Sequence, residues 1–224
     1  SENLKEWRHL SDFGPVGAVD GEWECPDLFP LFVDGDESKT KWVLLISINP
    51  GGLTGGSGTQ YFLGDWNGKE FKADDVKVRW VDHGRDNYAG VTFNDAPNSR
   101  RVFIGWMNNW DYAKDIPANP ARGSMTIPRE LSLSVIDGKV TLLQNPVKEI
   151  LGSAIGDETF TITPKDAKSG IRYSNADGHL VEIGFDPKTK EIYLDRSGAW
   201  YYQFQFQPWH LLQFSSSCGS GTII

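Results

Sequence analysis

Cysteine is nearly absent: Cys25 and Cys218 are the only two in 224 residues, too few for a disulfide framework. Cys25 is read as a buried free thiol. His9, His83, His179 and His210 are scattered and no CxxC occurs, so no metal-ligand spacing is present and no metal site is expected. Positive charge is also in deficit. Twenty-two Lys and Arg stand against 30 Asp and Glu, a formal net charge of −8, with a pI near 5.0. That balance excludes a polyanionic partner such as nucleic acid, which is gripped by clustered Lys and Arg. No apolar run is long enough to cross a bilayer, and no basic-then-apolar leader stands at Ser1, so no membrane partner is expected. Helical periodicity sustained over a dozen residues is missing as well.

Aromatic residues are plentiful, with 9 Trp and 12 Phe. The flat apolar face of Trp suits the C–H face of a sugar ring, yet Trp is also an ordinary β-core residue, and most of the nine are assigned to packing. Short runs rich in β-branched and aromatic residues alternate with Gly, Pro, Asn and Asp. They fall at 23–33, 42–48, 59–63, 76–81, 88–93, 102–107, 123–127, 130–136 and 139–144. This spacing predicts an all-β sandwich, barrel or propeller. Residues 1–22 read as an irregular approach. Around 142–152 the character changes, and a domain boundary is placed near residue 150. Hairpin-like runs follow at 160–162, 170–173, 180–185 and 191–194. Residues 199–224 carry aromatics and Gln but no charge, an atypical tail.

One carboxylate draws attention. In the run Glu22-Trp23-Glu24-Cys25-Pro26-Asp27-Leu28-Phe29, the neighbours Trp23 and Cys25 place Glu24 where burial favours the neutral acid, the form a proton donor needs. The same run fits a strand-edge Glu facing water. Asp27, three residues on, is expected to point to the opposite face. Asp82 and Asp86 bracket Gly84-Arg85 ahead of the 88–93 run, a pattern that suits a solvated turn or a hydroxyl-binding loop. Trp106 continues the apolar run Val102-Phe103-Ile104 and reads as core, while Arg129 and Glu130 read as a structural ion pair or a strand-end contact. The glycine-rich residues 49–58 lack the Lys and Ser/Thr of a phosphate cradle and precede no helix. They are read as giving a tight turn or a close approach to a sugar or to a neighbouring blade.

The Glu-Cys-Pro run resembles the motif of glycoside hydrolase family 32, the fructan hydrolases and invertases, in which the Glu is the acid/base catalyst. Residues 47–65 (SINPGGLTGGSGTQYFLGD), 82–89 (DHGRDNYA), 105–113 (GWMNNWDYA) and 127–131 (IPREL) resemble further family motifs in the family's order. The resemblance covers roughly residues 1–196 and is greatest to microbial levanases and exo-inulinases. It implies that residues 23–145 are later blades of a five-bladed β-propeller and that residues 155–196 open a C-terminal β-sandwich. It also implies retaining exo-cleavage of terminal β-fructofuranosyl units from levan, inulin or sucrose, without metal or organic cofactor, by a secreted enzyme.

Glu24 becomes the acid/base. Asp86 and Tyr88, in what resembles an Asp-x-Tyr-Ala motif, become candidates for binding substrate hydroxyls or tuning Glu24. Trp110 is expected to lie against the fructose ring with Asn109 as a hydroxyl partner, and Asp82 is a candidate for the subsite that takes the rest of the substrate. Two family motifs do not occur: Asn-Asp-Pro-Asn-Gly, with the nucleophilic Asp, and Arg-Asp-Pro, with a transition-state-stabilising Asp. The chain, which begins at Ser1 without Met, is therefore read as a fragment that is inactive alone. Two alternatives stay open: a non-catalytic carbohydrate-binding β-domain, and a propeller glycosidase acting on other furanosides.

Overall fold

The computed structural model describes residues 1–116, 123–151, 167–174, 178 and 180–195 of the chain. The chain divides into two compact units, Ser1–Lys148 and Glu149–Ile223. In the first, residues up to Gly21 form no strand. The strands then run in order as β1 (Glu22–Val33), β2 (Asp36–Asn49), β3 (Gly58–Trp66), β4 (Phe71–Ala73), β5 (Tyr88–Phe93), β6 (Arg101–Met107), β7 (Ser124–Met125), β8 (Arg129–Ile136) and β9 (Lys139–Pro146). A single helical turn, α1 (Lys148–Leu151), follows. Four residues are too few to show a helical period.

Pairing resolves this unit into two antiparallel four-stranded blades. In one, β1, β2, β3 and β4 pair as sequential neighbours. In the other, β5 pairs β6, β6 pairs β8 and β8 pairs β9, with β7 alongside the end of β6. Two hairpins turn on Asp-Gly. Asp34 and Gly35 (φ 54 and 71) join β1 to β2, and Asp137 and Gly138 (φ 49 and 73) join β8 to β9. Positive φ at both central residues is the turn whose twist matches that of its strands.

The middle of β2 is buried on both sides, as an interior blade strand must be. Val43 and Leu45 face a core shared with Phe29, Phe103, Leu131 and Leu133, which joins the blades. Leu44 and Ile46 face Phe62 and Phe71, over which Phe13 and Trp23 pack. Each fully buried ring contributes roughly 1.5–3 kcal/mol of hydrophobic stabilisation.

The run 76–81 departs from its strand expectation. Val76 and Val78 are exposed, and only a Gln60–Trp80 bridge with two main-chain bonds ties the segment to β3. The reason is competition for one edge. β4 already pairs residues 64–66 of β3, leaving only residues 59–61 for the later segment.

The second unit holds a three-stranded antiparallel sheet of β10 (Ser169–Ser174), β11 (Leu180–Asp186) and β12 (Glu191–Asp195). Arg172 donates to Glu182 at 2.8 Å, and the Tyr193 hydroxyl donates to the same carboxylate. The expected strand at 160–162 and the tail 199–224 lie outside the described residues.

Candidate active site

Glu24 sits where β1 departs from a regular strand. Its partner on β2 is Ser47, while Asp27 pairs with Leu45, so three steps on β1 match two on β2. This is a one-residue bulge, and Cys25 within it has a left-handed φ of 50. Glu24 and Cys25 are both exposed, which corrects two expectations. Cys25 is a surface thiol, not a buried one; partial burial, then the Glu24 charge, push its pKa up. Trp23 does not cover Glu24. It turns to the other face of β1, donating its indole N–H to Ala18 O at 2.8 Å and packing with Phe13 and Phe62. The bulge also reverses the reading of Asp27. Its carboxylate reaches β5, as that of Glu24 does, because the extra residue restores both side chains to one face.

Tyr88, the first residue of β5, is buried, and its hydroxyl donates to Glu24 Oε2. Burial first, then this hydrogen bond and the negative charge of Glu24, push the phenol well above the ordinary tyrosine range, so it stays a donor. Asp86 is half-buried two residues before it. Across the β5–β6 ladder Tyr88 faces Trp106, whose ring centroid lies 5.0 Å from that of Trp110. Trp106 is half-buried rather than core, and Trp110 is 46% exposed. A hydrogen bond between Tyr88 and Glu24, a strand pairing of Tyr88 with Trp106 and a ring contact of Trp106 with Trp110 thus link these four residues.

Asn109 serves a different purpose from the hydroxyl contact expected of it. It has 0% exposure. Its Oδ1 accepts from the N–H groups of Ser57 (3.2 Å) and Asp111 (2.9 Å), and its Nδ2 donates to the carbonyls of Gly55, Ser57 and Arg85. With its amide spent on main chain, Asn109 joins the glycine-rich loop of the first blade to two loops of the second. At Gly56 a Cβ would stand 2.0 Å from Asn109 Oδ1. The glycine run therefore permits close approach to the neighbouring blade, as one reading of it expected. Ser57 completes the junction by accepting the Trp110 N–H at 3.1 Å.

Asp82 pairs with Arg129 at 2.7 Å and accepts from Gly84 N and Asn87 Nδ2. Burial pushes its carboxyl up, but the Arg129 charge and these hydrogen bonds outweigh burial and hold it below the usual carboxylate range. Arg129 thus pairs with Asp82, and Glu130 pairs separately with Arg100 at 2.8 Å. Sequence reasoning missed Ser47, Ser57 and Thr92, whose hydroxyls bond across the blades. Nothing local distinguishes them from surface hydroxyls.

Four-stranded antiparallel blades meeting at inner strands, with a carboxyl, a phenol and two indoles at one end of the junction, define a β-propeller protein. The family profile "Glycosyl hydrolases family 32 N-terminal domain" matches residues 1–146, and the chain belongs to that family. The levanase of Bacillus subtilis (strain 168) is 38% identical over 230 residues, covering 88% of this chain and 34% of the levanase. The extracellular exo-inulinase of Aspergillus niger is 48% identical over 201 residues, covering 85% of this chain and 37% of the inulinase. Among solved structures, exo-inulinase from Aspergillus awamori matches with a TM-score of 0.75 and 34% identity, over 89% of this chain and 46% of that one. A fructofuranosidase from Schwanniomyces occidentalis complexed with fructose matches with a TM-score of 0.73 and 29% identity, over 88% and 46%. The chain thus spans a third to a half of the length of these relatives.

Proposed function

We propose that this chain carries the acid/base half of a retaining exo-fructanase site acting on terminal β-fructofuranosyl units of levan, inulin or sucrose. The observation that carries the reading is the grip of the buried Tyr88 phenol on one oxygen of the exposed Glu24 carboxyl. That bond orients the carboxyl and leaves its second oxygen for the substrate. Glu24 gives its proton to the leaving glycosidic oxygen, then takes one from the water that hydrolyses the fructosyl-enzyme. Trp110 offers an exposed apolar face beside it for the sugar ring, and Asp86 is the remaining carboxylate for a substrate hydroxyl. Asp82 and Asn109 support the loops that carry these groups. No cofactor enters.

Retaining chemistry needs a second carboxyl roughly 5–5.5 Å from the first. The family motif that supplies it does not occur in these 224 residues, so the chain alone is proposed to be inactive. In this reading the first unit belongs to a catalytic propeller and the second opens a β-sandwich, in an extracellular enzyme like the levanase and exo-inulinases it resembles. The test is fructose release from levan, inulin and sucrose by the chain alone, by the chain joined to a family-type N-terminal segment bearing the nucleophile motif, and by the Glu24→Gln variant of that joined protein. Release only by the joined protein, lost in the variant, supports the proposal. Release by the short chain itself would overturn the division of the carboxyl pair.

A further inference from the structure

The inner strands β1 and β5 meet at Glu24 and Tyr88, yet they share no main-chain ladder among the described residues. What aligns them is a second bulge opposite the first. On β5, Tyr88 pairs with Trp106 and Val91 with Ile104, three steps against two, and Ala89 has a left-handed φ of 51. Glu24 precedes left-handed Cys25, and Tyr88 precedes left-handed Ala89. Such a conformation is strained for a non-glycine residue, so surrounding bonds must enforce it at both places.

Those bonds are present. Asp27, closing the first bulge, accepts at Oδ2 from both the N–H (2.8 Å) and the hydroxyl (2.6 Å) of Thr92, beyond the second bulge. The Thr92 hydroxyl in turn accepts from Arg101 Nη1 at 3.2 Å. On the Ala89 side, Ser47 Oγ accepts the Ala89 N–H at 3.1 Å.

We infer that Asp27 is a positioning residue for the acid/base: its two bonds to Thr92 hold the facing bulges in register and so aim the Glu24 carboxyl at Tyr88 and at the scissile oxygen. This inference rests on the proposed role of Glu24. Asp27 touches no substrate; it acts through the backbone of the bulge.

Two measurements separate this inference from the function on which it rests. In the 224-residue chain, Cys25 reports the bulge. Its alkylation by iodoacetamide, followed by mass spectrometry of the Cys25 peptide against an added isotope-labelled standard, is expected to rise about threefold or more in Asp27→Ala as the bulge relaxes. Thr92→Ser, which keeps both bonds, is expected to match the parent, and the isosteric Thr92→Val, which keeps one, to fall between. Should Asp27→Ala fail to fold, the Thr92 pair decides. Equal rates in all variants would overturn the inference whether or not the protein cleaves fructans.

In the protein joined to the nucleophile segment, Asp27→Ala is expected to lower kcat for sucrose on the order of 10–100-fold with KM nearly constant. β-Fructosyl fluoride with azide needs neither a donated proton nor a base, and its turnover is expected to stay within about threefold of the parent. Equal loss on both substrates would mean general damage and would overturn the inference, as would no loss on sucrose. If the parent joined protein releases no fructose, the proposed function fails while the alkylation series still decides the role of Asp27.

Discussion

The first blade runs four strands in sequence order, with a two-residue Asp-Gly turn between its inner pair and long unbroken ladders from β2 to β3. In the second blade β5 and β6 pair across a bulge, and between β6 and β8 the chain makes an excursion carrying Asn109, Trp110 and β7. Both blades rest on main-chain ladders, β2 with β3 in the first and β8 with β9 in the second. The first adds aromatic packing, and the second adds side chains that bond to main chain across the junction. Rigid ladders supply the frame, and the residues proposed to meet substrate stand where the chain departs from it, Glu24 and Tyr88 beside bulges and Trp110 on a loop.

If that contrast holds, removing packing from the first blade should cost the most stability. Phe62→Ala deletes a ring with 0% exposure that meets Phe13 edge-on at 5.1 Å. A loss of about 3–5 kcal/mol in urea-unfolding free energy is expected. A loss below about 1 kcal/mol would show that this blade is not the frame.

Asn109→Ala should come next, at about 1–3 kcal/mol, because it leaves buried N–H and C=O groups of three loops without their partner. In the joined protein the same substitution should raise KM for inulin by displacing Trp110. If KM holds while stability falls, the junction does not set the position of that ring.

A smaller effect belongs to the segment joining the blades. Asp75 accepts both Nη groups of Arg79 at 2.7–2.8 Å, and its pKa is lowered to about 2, chiefly by that side-chain hydrogen bond. A depressed carboxylate contributes stability that is complete above its unfolded pKa, about 4, and is lost as pH falls through its folded value near 2. The pair is solvent-screened, so the contribution is under about 1 kcal/mol. Urea midpoints measured from pH 5 to pH 2 should fall less steeply in Asp75→Asn than in the parent.

Trp110→Ala should cost little stability, about 1 kcal/mol or less, because nearly half of the residue is exposed and its described ring contact is with Trp106. KM for inulin in the joined protein should nevertheless rise roughly 3–10-fold, the size of one lost ring contact. An unchanged KM would remove Trp110 from the sugar site.

Most strands were legible because alternating apolar residues and Asp-Gly turns act locally; β5 and β6 lie within a residue of their expected bounds. β4 was not, since three residues carry no period, and 76–81 was overread because its alternation said nothing about which edge remained available. At the site, Glu24 and Tyr88 were legible through the motifs around them. The exposure of Cys25 and the common direction of Glu24 and Asp27 were not. Both follow from a bulge, and a bulge is a relation between two strands that one strand's residues do not display. Asn109 was recognised as important but assigned to substrate. Of its five main-chain bonds one is to Asp111, two residues away, and the other four span 24 to 54 residues, beyond any local pattern.

The bonds that assemble the site close long stretches of chain: 64 residues between Glu24 and Tyr88 and 65 between Asp27 and Thr92. Contacts so distant in sequence form slowly, because the chain must lose the entropy of the intervening loop before they can stabilise it. Each blade can gather its own neighbouring strands earlier, since those hairpins turn within a few residues. Assembly of the Glu24–Tyr88 pair is therefore a late event in folding. A chain whose blades have formed but not docked would give the circular dichroism of a β protein while its acid stood unaimed.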